Sequence, residues 1–236
     1  MIPATLKFLI HTLAVLPVPT VADASVSPAV QWAAVCATAR VGGGPEGGAT
    51  AAAVCIGVRN REVFLLTAAH VVPEGQARVY EFFTKNSYPK PAQTLVGGTV
   101  IFRSGTADIA LVKIPAGSDA LPALRLAAPS QRPKRFPFGA VTVGCPQGFA
   151  PKCRVEKILG KRYVRRSANE AAFYWELSTP PVGGMSGGPL LDENGRVIGI
   201  CSAAQAGRGY VSHLDEIQYL LKQNGYSWLY DGSGKP

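Results

Sequence analysis

Between residues 52 and 114 the chain alternates short apolar runs with turn-forming residues: AAVCIGV, EVFLLTAA, ARVYEFF, GGTVIF and DIALVKI. A second series, GAVTVGC, RVEKIL, FYWELS, GPLLD and RVIGICSA, falls between 139 and 204. Runs of this length, rich in β-branched and aromatic residues and without a helical period, predict strands. Asn194-Gly195, between two such runs, predicts a hairpin. Ten or so short strands with no helical segment between them predict an all-β sandwich or barrel architecture. The pattern changes after residue 211. SHLDEIQYLLKQNG sets Leu214, Ile217, Leu220 and Leu221 on one stripe and predicts a single amphipathic helix. Ser212 with Asp215 three residues later reads as its capping box, and Gly225 as its stop.

Two stretches lack either period. Residues 25–50 are rich in Ala, Gly and Pro and are expected to be irregular. Residues 115–138 hold five prolines with Arg132, Lys134 and Arg135, and read as a linker. The organisation that follows is a leader at 1–24, an irregular segment at 25–50, a first β unit at 51–120, a linker at 121–138, a second β unit at 139–212, and a helix with its tail at 213–236.

Composition narrows the function classes. With 236 residues, 47% hydrophobic and 17% charged, the chain can bury a substantial core. The net charge of +9 comes with no recognisable nucleic-acid-binding module, so no nucleic acid partner is expected. No cofactor or metal is expected either. At the N-terminus, Lys7 precedes an apolar run from Phe8 to about Val21, followed by Ala22-Asp23-Ala24. This predicts a secretory signal cleaved after Ala24, and hence a secreted or periplasmic protein. Pro17 and Pro19 argue against a helix there, and no segment is long enough for stable membrane insertion. Cys36, Cys55, Cys145, Cys153 and Cys201 follow the leader, an odd count that leaves at least one thiol without an intramolecular partner.

Candidate chemistry centres on GGMSGGPLLD at 183–192, where four glycines crowd Ser186. A serine hydroxyl needs a base to become a nucleophile, and imidazole is the usual one. The chain has three histidines: His11 in the leader, His213 at the start of the terminal helix, and His70 at the end of the run VFLLTAAHVV. Ser186 is therefore paired with His70. Asp108, directly before the apolar run IALVKI, is the candidate carboxylate that orients the imidazole.

TAAH around His70, ADIALVKI around Asp108 and GMSGGPLLDENGRVIGI around Ser186 resemble the trypsin/chymotrypsin superfamily, and within it exported bacterial peptidases and the HtrA protease domain. The resemblance covers roughly residues 50–204. It implies two packed six-stranded β-barrels, here with a C-terminal helix, and a triad of His70, Asp108 and Ser186 in the cleft between them. It implies oxyanion donors in the N–H groups of Gly184 and Ser186, and a hydroxyl of Ser202 that supports Asp108. It places the primary specificity pocket at Pro180, Pro181, Cys201, Ser202, Ala203 and Ala204. None of these carries a charge, so cleavage of a protein or peptide substrate is expected after a small or medium apolar residue. Only about thirty residues follow Ala204, too few for a PDZ module.

Arg40-Val41-Gly42-Gly43 resembles the activation site of trypsin-like zymogens. The aspartate that a freed amine would pair with is replaced by Met185, so RVGG is read as coincidence. Cys55 matches half of the disulfide around the histidine loop, but Val71 stands where its partner would be. Pairing with Cys36 stays open, as does a Cys145–Cys153 pair.

Gly184-Met185-Ser186-Gly187-Gly188 also fits the nucleophile elbow of α/β-hydrolases, but Pro189 and strand-like sequence follow where a helix is required. A catalytically silent trypsin-fold binding protein is the serious alternative, because fold does not establish activity. Finally, residues 132–166 hold ten Lys or Arg against one Glu, Glu156, which suggests either a solvated face or an exosite for an anionic polymer.

Overall fold

The computed structural model describes residues 26–42, 50–117, 120–165 and 170–231. The leader expected at 1–24, His11 and the end of the tail lie outside these residues.

Seven strands make the first lobe: β1 (Thr38–Gly42), β2 (Ala51–Arg59), β3 (Glu62–Thr67), β4 (Val79–Phe82), β5 (Gln93–Val96), β6 (Thr99–Ser104) and β7 (Ile109–Pro115). They form an antiparallel sheet in the order β5-β4-β1-β2-β3-β7-β6. Six more make the second lobe: β8 (Phe138–Gly144), β9 (Lys152–Arg165), β10 (Ala171–Leu177), β11 (Pro189–Leu191), β12 (Val197–Gln205) and β13 (Arg208–His213). These close into a barrel in the order β10-β13-β12-β11-β8-β9. The two-lobed β architecture is as the sequence predicts. The first lobe has seven strands instead of six because β1 comes from a stretch expected to be irregular.

That stretch also holds a helix, α1 (Pro28–Ala37), which corrects the expectation of an irregular segment at 25–50. Ser27 caps it by accepting from the Val30 N–H, and Pro28 occupies the first turn, where a missing N–H costs nothing. Ala34, Val35 and Ala37 are buried beneath it.

The linker is better anchored than its prolines imply. Leu124, Leu126 and Ala127 are buried. The Leu124 N–H donates to the Cys55 carbonyl of β2, and the Ala127 N–H to the Val197 carbonyl of β12. The crossing chain thus pairs with both lobes.

The expected hairpin forms: Asp192 accepts from the N–H groups of Asn194 and Arg196, each at 2.9 Å, and Gly195 takes φ 73°. The terminal helix is α2 (Leu214–Gln223), with Gly225 at φ 80° just past its end. Its cap is His213, not Ser212: the His213 Nδ1 accepts from the Asp215 N–H at 3.0 Å. Ser212 is turned inward, where its hydroxyl donates to the Ala107 carbonyl at 2.6 Å. Among the described residues no helix is long and apolar enough to cross a membrane.

Candidate active site

Each lobe contributes a set of groups to the cleft. In the first, the buried strand β3 ends in Thr67, and a single helical turn, Ala69–Val71, lifts His70 to the surface with about half its side chain exposed. Asp108 closes the tight turn between β6 and β7. Its φ of 53° is left-handed, a conformation that Asp tolerates better than most residues. That backbone turns the carboxylate under the imidazole. His70 Nδ1 lies 2.9 and 3.0 Å from the two carboxylate oxygens, and the His70 N–H donates to Oδ1 at 3.1 Å. With Nδ1 donating to an acceptor-only carboxylate, Nε2 carries the lone pair.

Asp108 is nearly enclosed, and Ser202 on β12 donates to its Oδ2 at 2.5 Å. Burial alone would raise this carboxyl's pKa. The hydrogen bonds from His70 and Ser202 and the proximity of the His70 ring outweigh it, and the group is held below the ordinary carboxylate range.

The second lobe presents the Ser186 loop. Gly187 (φ 82°) packs so close to β2 and β3 that a Cβ there would overlap the Ala52 carbonyl and the Thr67 hydroxyl. Gly184 (φ 92°) meets the Cys145 carbonyl in the same way. The Ser186 carbonyl accepts from the Ala52 N–H at 2.8 Å, which fastens the loop to the first lobe. The N–H groups of Met185, Gly187 and Gly188 are taken by Val182, Cys201 and Met185 carbonyls. Those of Gly184 and Ser186 have no backbone partner among the described residues. The glycines therefore serve close packing that leaves two donors unpaired beside the hydroxyl.

Ser186 and His70 line one cavity of about 230 Å³. Among the described residues the Ser186 hydroxyl makes no hydrogen bond, so the structure joins His70 to Asp108 but brings Ser186 only to the same cavity. Contacts of this kind are often loose without substrate.

A family model for the trypsin-like peptidase domain matches residues 50–200. The chain belongs to that family. No curated protein matches it in sequence. Among solved structures, the active form of the Rv3671c protease from M. tuberculosis superposes with a TM-score of 0.68 at 20% identity, covering 94% of this chain and 95% of that one. The inactive form of the same protease gives 0.66 at 20% identity, with 89% and 100% covered. The HtrA-type protease AlgWS227A with tripeptide gives 0.65 at 19% identity, with 86% and 63% covered. The fold is that of a trypsin-like serine protease similar to the HtrA type.

The six pocket candidates separate into two groups. Pro180 is exposed and Pro181 half-buried on the loop before Ser186, while Ala203 and Ala204 are exposed on β12. Cys201 and Ser202 are buried, and Ser202 is turned to Asp108. Sequence reasoning missed what supports that loop. Arg154 and Glu156 on β9 form an ion pair at 2.5 Å. Arg154 Nη1 donates to the Pro180 carbonyl at 3.2 Å, and Glu156 accepts from Thr142 at 2.8 Å and from Thr179 at 3.4 Å. Alternation along one strand could have flagged the pair as inward-facing. Also missed was Arg78, which lines the cavity with Ser186 and His70 and belongs to no motif.

Neither open disulfide pairing is present: all five cysteines are free thiols. Cys153 on β9 lies opposite Val143 on β8, with its sulfur 3.8 Å from the Gln31 carbonyl of α1. Burial pushes Cys55, Cys145 and Cys201 up to about 12. Arg40 and Val41 lie within β1, paired to β2 and β4, with Val41 buried, as expected if RVGG is no activation site; Gly43 lies outside the described residues. Of the ten cations in 132–166, Arg132, Arg154, Lys161 and Arg162 are bound to carboxylates of the fold, which dilutes any polymer-binding face.

Proposed function

We propose that this peptidase is a secreted or periplasmic serine endopeptidase that works through an acyl-enzyme. The observation that carries the reading is the buried Asp108 carboxylate, held by His70 Nδ1 and the Ser202 hydroxyl across one cavity from Ser186. Ser186 attacks the scissile carbonyl while His70 Nε2 takes its proton. Asp108 keeps the imidazole in the required tautomer and stabilises its charged form. The unpaired N–H groups of Gly184 and Ser186 receive the oxyanion, a contribution of roughly 3–4 kcal/mol for one such donor in a comparable enzyme. His70 then returns the proton to the leaving amine, and water repeats the cycle to free the acid.

Cleavage after small or medium apolar residues follows from the exposed Ala203 and Ala204 and from Pro180, none of which offers a charge to a buried Arg or Lys side chain. Labelling by a fluorophosphonate tests the mechanism. We expect modification of Ser186 in the wild type and none in His70→Ala. Folded wild-type protein that resists the probe would instead favour a silent binding protein. Matched chromogenic peptides ending in Ala, Val, Leu, Phe, Arg and Glu test the preference, and a dominant kcat/KM for Arg would overturn it.

A further inference from the structure

The cavity that holds Ser186 and His70 is walled mainly by the first lobe: Val41 and Gly42 at the end of β1, Thr50 and Ala51 at the start of β2, and Val71 and Arg78. None of Pro180, Pro181, Cys201, Ala203 or Ala204 borders it. It is therefore separate from the residues assigned to the side chain before the cut. It is the side on which His70 stands, where the leaving amine must be protonated. A peptide bound across Ser186 places the residues after the cut here.

Among the described residues of this wall, Arg78 is the one ionisable group apart from His70, with no carboxylate beside it. The side chain is half-buried and anchored: its Nε donates to the Val71 carbonyl at 2.9 Å, next to His70. That bond uses one of five guanidinium donors. Among the described residues the Nη groups have no ion-pair partner, whereas Arg40 on neighbouring β1 is bound to Glu81. Arg78 is thus a positioned cation whose Nη donors have no partner among the described residues, in the part of the cleft assigned to the leaving segment. A carboxylate there gains a charge-assisted, bidentate hydrogen bond in a recess partly shielded from water. A Lys or Arg there meets a like charge.

We propose that Arg78 selects substrates bearing Asp or Glu in the first or second position after the scissile bond. The preference rests on the serine-protease reading above and adds a charge requirement to the apolar one on the other side of the cut. The substrate class is a chain segment in which an apolar residue is followed closely by a carboxylate.

The test uses quenched fluorescent peptides with a fixed apolar residue before the cut and Asp, Glu, Ala or Lys at each of the two following positions. With wild-type protein, kcat/KM for the acidic peptide at the preferred position should exceed that for Ala by about tenfold, with Lys lowest. Salt should compress the ratio. In Arg78→Gln the ratio of acidic to Ala should fall towards one, in Arg78→Glu it should invert in favour of Lys, and Arg78→Lys should keep the acidic preference. The Lys variant separates charge recognition from the structural bond to Val71. Equal rates for all four residues in wild type, or an acidic preference that survives Arg78→Gln, would overturn the proposal. A chromogenic substrate with no residue after the cut tells this failure from a deeper one. If the wild type hydrolyses it and shows no charge preference, only the Arg78 assignment falls. If nothing is hydrolysed and Ser186 is not labelled, both readings fall.

Discussion

The two lobes solve the same packing problem with different materials. The first is an open sheet whose interior is Val, Ala, Leu, Ile, Phe, Tyr and Cys55, with no buried carboxylate or histidine among the described residues except Asp108 at the cleft. The second is a closed barrel that buries Glu156, Glu176, Asp192 and His213. The first lobe thus keeps its ion pairs, Arg40–Glu81 and Lys113–Glu62, outside an apolar interior, and presents the exposed His70 and the half-buried Arg78 at its edge. The second holds its loops with internal ion pairs, and the loop before Ser186 rests on one of them. Asp108, held below the ordinary carboxylate range, lends the first stability that is lost as pH falls through its folded value, while in the second His213 makes a contribution that is lost as pH falls below 6.5.

The sharpest way to break this division of labour is to remove one reacting group from each side. His70→Ala and Ser186→Ala should each lower kcat by three or more orders of magnitude, measured on the best peptide. The double variant should be scarcely worse than either single one, because the two groups act as a unit. Melting temperatures should stay near wild type, since both side chains are partly exposed.

A smaller effect falls on stability, and only in the barrel. Glu156→Leu strands the Arg154 guanidinium and should cost about 2–3 kcal/mol in denaturant unfolding. That is below the 3–5 kcal/mol of a fully buried pair, because the guanidinium is partly exposed. The double change Arg154→Met/Glu156→Leu should recover most of the loss while altering the peptide preference before the cut, as the Pro180 carbonyl loses its donor. A double variant as unstable as the single one would show that the pair is not what the barrel depends on.

The mildest signature is a pH slope. Burial pushes His213 down to about 3, with nearby Asp215 opposing the shift and Lys161 and Arg132 adding to it. Its Nδ1 accepts from the Asp215 N–H, so the 3.5 Å approach to the Asp215 carboxylate is a contact of a neutral ring and not an ion pair. As pH falls below the unfolded value of 6.5, the unfolded chain gains a proton that the fold refuses until about 3. The contribution is complete above 6.5 and lost below it, by at most about 1.4 kcal/mol per pH unit. His213→Asn, which keeps a capping side chain, should flatten the stability profile between pH 6 and 4. An unchanged slope would locate the acid sensitivity elsewhere.

How much of this was legible in the sequence depended on whether a residue's role was local. The strand runs, the Asn194-Gly195 turn and the motifs around His70, Asp108 and Ser186 declare themselves through neighbours in sequence. The α1 helix was legible in part: Ser27-Pro28 is a start signal, but the Ala, Gly and Pro content around it masked a short helix. The cap of α2 was misassigned because Ser212 fits the capping pattern, while a buried acceptor 105 residues away, Ala107, claims its hydroxyl. Arg78 and the Arg154–Glu156 pair carry no motif. Their importance comes from where the sheet edge and the barrel mouth place them, which only the packed lobes reveal.

The anchored crossing chain has a consequence for survival of the enzyme itself. A concentrated enzyme with the proposed endopeptidase activity is surrounded by copies able to cut it, and the segment joining two lobes is the natural place to be severed. A protease reads an extended strand whose backbone is unpaired and whose apolar side chain can enter its pocket. Here Leu124, Leu126 and Ala127 are turned inward, and the backbone donors of Leu124 and Ala127 are already engaged by Cys55 and Val197. Beyond them the chain offers Pro129, Pro133 and Pro137 among cations, a poor match to the apolar preference proposed above. With the proposed endopeptidase activity, the described part of this connection is a poor substrate, and a preparation of active protein should keep its two lobes covalently joined long after it has consumed an unfolded substrate.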